Sequence, residues 1–172
     1  MSDLTTMKYN VDMVFCIDAT GSMSPVIDTV KQNALHFYDD VIKVMNEKQK
    51  SIDRLRIRVI AFRDYLADGD RAMFATNFFE LPAQAKEFET CVKSITAKGG
   101  GDEPEDGLEA LAYAIKSDWS KEGTKRRNVI VVWTDASTHE IGFGKTAPNY
   151  PKGMPQTFAE LTGWWGDEQT ET

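Results

Sequence analysis

The run Val11 to Ile17, VDMVFCI, is almost continuously apolar and rich in β-branched and aromatic residues, the pattern of a strand buried on both faces. Beyond it, Ile27, Val30, Ala34, Phe37, Val41 and Met45 recur three and four residues apart. That spacing predicts a long amphipathic helix, with Pro25 placed where a first turn tolerates it. Leu55, Ile57, Val59 and Ala61 alternate with Arg56, Arg58 and Ile60 in a second strand, and MFATNFFEL, between the turn-like ADGD and Pro82, predicts a third. Ala85, Phe88, Val92 and Ile95 mark another helix, which the glycines Gly99 to Gly101 interrupt before Leu108, Leu111, Ile115 and Trp119 resume helical spacing. A strand of the buried type follows at Val129 to Trp133. This order predicts an α/β fold with a central, mostly parallel sheet flanked by helices.

The chain has 172 residues, 41% of them hydrophobic, enough for one core. A single domain is expected over residues 9–165, between polar tails at 1–8 and 166–172, with a short closing helix around Pro155 to Trp165. The formal charge of -7 disfavours a nucleic acid or an anionic membrane as the main partner and suits a cation. Cys16 and Cys91 show neither CxxC spacing nor a disulfide-dense pattern and read as buried, reduced thiols. No run approaches the roughly 18 apolar residues a membrane span requires, and the polar N-terminus has no apolar leader region, so a cytoplasmic location is expected.

Candidate chemistry gathers at strand ends. Asp18 and Asp135 fall just past the carboxyl ends of two central strands, the edge where open α/β sheets bind ligands. The loop carrying Asp102, Glu103, Glu105 and Asp106 enters a helix and reaches the same edge. Oxygen donors without a His or Cys cluster suit a hard cation, Mg2+ first, with Mn2+ or Ca2+ as substitutes. In an extended loop Asp18, Thr20 and Ser22 face one side, so one carboxylate and two hydroxyls can meet one ion, with Gly21 making the tight turn. Taken alone, DATGSM also suits a strand-to-helix turn with a capping Asp or Ser. Glu103, Glu105 and Asp106 read more readily as a solvated helix start than as ligands.

Together, DATGSM, AFRDY, GGGDEPED and TDASTH resemble the von Willebrand factor A family and are most similar to its alpha-kinase-associated and stand-alone microbial members, over roughly residues 9–140. The resemblance implies a Rossmann-like fold and a metal-ion-dependent adhesion site, or MIDAS. Its ligands would be Asp18, Thr20, Ser22, Asp102 and Asp135, with Asp102 standing where adhesive members usually have threonine. The added charge would weaken capture of an acidic partner. Domains of this family normally continue through another helix and strand after the Val129 to Trp133 strand. The sequence after it has no apolar run fit for a strand, so the expectation is either that the chain is an excised piece of a longer protein, or that the Val129 to Trp133 edge is covered by the tail, a second copy or a partner strand.

His139 could act as a base beside the ion but reads more readily as a surface loop residue, and His36 as helix surface. Arg63 and Asp64 suit a buried pair or the support of a ligand. Phe158, Leu161, Trp164 and Trp165 read as core packing more readily than as a partner surface. The functional expectation is a non-catalytic, metal-dependent adaptor working with a kinase, a phosphatase or an AAA+ ATPase. The alternative is a Mg2+-dependent phosphohydrolase or nuclease, with carboxylates holding the ion against phosphate. Thr20 stands where a haloacid-dehalogenase-type phosphatase needs a second Asp, and no GxxxxGK[ST] loop occurs. A metal that merely staples the fold is a third reading.

Overall fold

The computed structural model describes residues 7–101 and 104–170. Strand β1 (Met7–Asp18) pairs in parallel with β2 (Lys50–Phe62) on one side and with β5 (Arg126–Trp133) on the other. Two short strands, β3 (Met73–Ala75) and β4 (Phe79–Leu81), run antiparallel to β2. MFATNFFEL therefore forms two edge segments instead of one strand. The mostly parallel central sheet has the order β3-β2-β1-β5, with β4 also on β2. β1 starts at Met7, ahead of the expected domain boundary at residue 9.

Alternation along β1 splits the core between two layers of helices. Val11, Met13, Phe15 and Ile17 face α1 (Ile27–Glu47) and α3 (Ala85–Ser94), where Ile27, Val30, Ala34, Phe88 and Val92 cover them. Val14 and Cys16 face α4 (Gly107–Ile115) and pack with Ile60, Phe62, Ala110, Ala114 and Trp119. A strand covered on both faces needs apolar side chains at successive positions, which is why VDMVFCI lacks strict alternation. Asp12 is the polar member of that run. It is buried and held bidentately by Arg56, Nε to Oδ1 at 2.8 Å and Nη2 to Oδ2 at 2.6 Å. Cys16 is a free, buried thiol whose pKa burial pushes up to about 12, and Cys91 is free and half-buried.

Two ends differ from expectation. α1 begins at Ile27 without a side-chain cap, so Pro25 lies in the preceding turn and not in the helix. The closing helix α5 spans Phe158–Thr170, longer than expected, so residues 166–170 continue the helix and are not a turn-like tail. Leu161 is buried against Ala112 and Ile115, Trp165 packs edge-on to Trp119 at 5.9 Å, and Phe158 stays 60% exposed. β5 is the outer strand; Val132 is 44% exposed and lines a groove of about 350 Å³ with Leu111, Ile130 and Trp165. No helix among the described residues is long and apolar enough to cross a membrane.

Candidate metal centre

Parallel pairing of β1 with both neighbours brings their carboxyl ends to one edge: Asp18 lies opposite Phe62, and Ile17 opposite Trp133. Three loops leave this edge and are joined by backbone hydrogen bonds. The Lys98 N–H donates to the Ala19 carbonyl at 3.0 Å, and the Gly21 N–H to the Gly99 carbonyl at 2.9 Å, joining the first loop to the glycine loop. Farther along, the Glu105 N–H donates to the Ser137 carbonyl at 3.1 Å, and the His139 N–H to the Glu105 carbonyl at 2.8 Å, joining the glycine loop to the loop after β5.

The side chains of the first and third loops form one continuous chain of oxygens. Asp18 is fully buried; its Oδ1 accepts from the Thr20 N–H at 3.0 Å and the Thr20 hydroxyl at 2.6 Å, and its Oδ2 from the Thr134 hydroxyl at 2.8 Å. Thr20 Oγ1 lies 3.2 Å from Ser22 Oγ, which donates to Asp135 Oδ1 at 3.1 Å. Asp18 and Thr20 are buried while Ser22 and Asp135 are exposed, so the row runs from the core to the surface. Thr20 is extended but Gly21–Met23 forms a 3₁₀ turn, so it is the turn, not an extended loop, that brings the two hydroxyls together. Gly21 is needed less for the turn than for close approach, since a Cβ there would stand 3.2 Å from the Gly99 carbonyl oxygen. Among the described residues no three carboxylate, imidazole or thiol groups converge on one point. The donor set is thus mixed hydroxyl and carboxylate oxygen, which fits a hard cation.

Asp102 and Glu103 lie outside the described residues. Glu105 and Asp106 are not a solvated helix start: both are buried, Glu105 at 3% exposure, and Glu105 Oε2 and Asp106 Oδ1 have no partner among the described residues. Burial, then the nearby carboxylates of Asp18, Asp64, Asp68 and Asp106, push the Glu105 pKa up to about 8. Asp106 rises to about 6, chiefly through burial and against the opposing Tyr65 N–H, which donates to its Oδ2 at 2.6 Å. Sequence reasoning passed over Glu105. The signal that could have pointed to it is the glycine triplet before it: a Cβ on Gly100, at φ +81°, would meet both Glu105 Oε1 and Thr20 Cβ at 3.0 Å.

His139 is buried, not a surface residue. Its Nε2 lies 3.2 Å from Asp64 Oδ2, and its ring stacks on Phe143 at 3.8 Å. Asp64 also caps the short helix α2 (Tyr65–Asp68) through the Leu66 and Ala67 N–H groups, so its partner is His139 and not Arg63. Arg63 instead donates to four carbonyls: Nε to Ala19 at 3.0 Å and Lys98 at 2.8 Å, Nη2 to Thr96 at 2.7 Å, and Nη1 to Arg71 at 2.9 Å. It clamps the first loop to the approach of the glycine loop. His36 is exposed on α1.

The chain is 30% identical over 145 residues to the alpha-protein kinase vwkA of Dictyostelium discoideum, an alignment covering 84% of this chain. The chain spans about a fifth, 21%, of that relative's length. The pilus adhesin SpaC of Lactobacillus rhamnosus GG, in its open conformation, aligns with TM-score 0.49 and 15% identity over 70% of this chain and 14% of the adhesin. Another form of that adhesin aligns with TM-score 0.49 and 14% identity over 69% of this chain and 14% of its own. The profile of the von Willebrand factor A domain matches residues 12–146, most of the length described above, and the chain belongs to that family.

Proposed function

We propose that this von Willebrand factor A domain is a metal-dependent protein-binding module of the MIDAS type, in which Asp18, Thr20, Ser22 and Asp135 hold a divalent cation and no substrate bond is broken. Domains of this family are typically protein-interaction modules. The observation that carries the reading is the row of oxygens from buried Asp18 through Thr20 and Ser22 to exposed Asp135, which ends at the surface where a partner can reach it. Mg2+ is the first choice, with Mn2+ or Ca2+ as substitutes, because every donor in the row is a hard oxygen. Asp102 is proposed as a further ligand from the glycine loop. When bound, the cation supplies a positive centre for an oxygen donor of the partner; the protein orients Asp18 through Thr134 and holds the loops in register.

The proposed role is that of an adaptor in a cytoplasmic multi-protein system with a kinase, phosphatase or AAA+ ATPase, and the alpha-protein kinase relative supports the first of these. Titration calorimetry with MgCl2 and MnCl2 on the parent, Asp18→Ala and Asp135→Ala tests the site. Binding lost in both variants is expected. Parent-like affinity in both would show that the cation lies elsewhere.

A further inference from the structure

The two edges of the sheet are built differently. One ends in β3 and β4, strands of three residues each that run antiparallel to β2. Edge strands this short give another chain little to pair with. The opposite edge is β5, eight residues long and paired with β1 alone among the described strands. From Val129 to Trp133 it carries neither a charge nor a proline, two devices that keep an open edge from pairing. Its outer side runs along the apolar groove of about 350 Å³ that Ile130 and Val132 line with Leu111 and Trp165, and Val132 is 44% exposed there.

The strand is complementary to its own reverse. Arg127 lies near its start and Asp135 just past its end, both exposed. The Arg127 guanidinium is held at that end over the Tyr9 ring, at 4.9 Å. An antiparallel neighbour of the same sequence, centred on Val131, brings Arg127 alongside Asp135, Asn128 opposite Thr134, Val129 opposite Trp133 and Ile130 opposite Val132. Every pair then joins charge to countercharge, polar to polar or apolar to apolar. A shift of one residue, to a centre at Ile130, would set Arg127 against Trp133 and Asn128 against Val132, and a parallel copy in register would set arginine against arginine. A two-fold axis normal to the sheet also keeps each face continuous: Ile130 and Val132 share the face of Val14 and Cys16, and Val129 and Trp133 that of Met13 and Ile17.

We propose that β5 is a self-association edge, at which two copies of this chain pair antiparallel through Val129 to Trp133 about a two-fold axis at Val131 and join their sheets into one. The pairing does not depend on a cation.

The experiment is sedimentation velocity of the full chain in chelator and physiological salt, over a roughly hundredfold range of concentration. Chelator keeps any cation off Asp135, so this result stands apart from the Mg2+ titrations. A monomer–dimer equilibrium is expected for the parent. Val132→Lys sets an ammonium against the partner's Ile130 and should weaken it at least about tenfold while melting like the parent, since Val132 is 44% exposed. A parent that stays monomeric throughout overturns the proposal. Free hydrogen exchange of its outer β5 amides would then leave the edge to a different protein, and slow exchange would mean that another segment of the chain covers it. Undiminished association in Val132→Lys also overturns it. Cysteine pairs fix the register and decide the matter where Val132→Lys fails to fold. Mild oxidation should link Val131→Cys into a disulfide dimer, because that position faces itself across the axis, and should link neither the parent nor Val129→Cys, which faces the partner's Trp133. Equal linking of Val131→Cys and Val129→Cys, or none in either, would refute the pairing.

Discussion

Arg63→Lys tests how the edge of the sheet is held together. The guanidinium makes four hydrogen bonds to carbonyls, reaching Ala19 in the first loop, Lys98 and Thr96 before the glycine loop, and Arg71 after α2. A hydrogen bond from a charged donor contributes about 1.5–3 kcal/mol, and a buried acceptor left bare costs a comparable amount. Lysine keeps the charge but replaces a planar fork with one point, so it can serve one or two of these four carbonyls at once. Because the bonds share one side chain they do not add, and only the Ala19 acceptor belongs to a buried residue, so a net loss of about 1–2 kcal/mol is expected. For a domain of this size that lowers Tm by roughly 2–8 °C. Since Ala19 lies between Asp18 and Thr20, Mg2+ affinity should fall about tenfold as well. Thermal melts in chelator give the first quantity, and calorimetry well below Tm the second. A variant melting within about 1 °C of the parent would refute the clamp.

Gly100→Ala places a Cβ 3.0 Å from both Glu105 Oε1 and Thr20 Cβ at a positive φ, and a loss of about 2–3 kcal/mol with weakened Mg2+ binding is expected from denaturant titration and calorimetry. Asp12→Ala removes the bidentate partner of half-buried Arg56, which keeps its bond to the Asp118 carbonyl, and should cost about 1.5–3 kcal/mol while leaving Mg2+ affinity intact, since the pair lies away from the cation edge. Glu105 has its folded pKa raised from 4.5 to about 8, so the folded state holds this proton more tightly than the unfolded chain, and stability from it is lost as pH rises through that window. In chelator, the parent should therefore lose on the order of 2–4 kcal/mol relative to Glu105→Gln between pH 5 and pH 8; a gap that does not change with pH would contradict it.

The central strands were legible because a strand buried on both faces has a distinctive composition, as in Val11 to Ile17 and Val129 to Trp133. The start of β2 was not, because Asp53 and Arg54 are charged; the two Nη groups of Arg54 pair laterally with Glu80 and Glu122, which no local pattern announces. At the edge, Asp18, Thr20, Ser22 and Asp135 could be picked out from short motifs since each sits at or just beyond the end of a strand. The Arg63 clamp escaped notice because its partners are backbone carbonyls, which every residue possesses. His139 and Asp64 lie 75 positions apart and meet only through the fold. Glu105 was misjudged for a further reason: acidic residues at a helix start satisfy the helix dipole whether they face solvent or core, so sequence could not separate the two.

Burial of the acidic side chains along this edge follows a gradient of satisfaction that bears on what the fold is built to hold. Asp18 receives three donors and Asp64 two N–H groups together with His139, so their negative charge is met by the protein itself. Asp106 and Glu109, deeper under Tyr65 and Tyr150, each have one oxygen engaged and one bare. Were these acids only structural, the least costly arrangement would pair every oxygen, since each bare one adds a desolvation penalty. Glu105 instead leaves Oε2 bare, while two backbone hydrogen bonds tie its main chain to the loop after β5 and its Oε1 lies close to Gly100, a glycine with positive φ. Under the proposed reading of this edge as a cation site, MgCl2 should raise the melting temperature of the parent and leave that of Asp18→Ala unchanged; an equal rise in both would place the stabilising cation elsewhere.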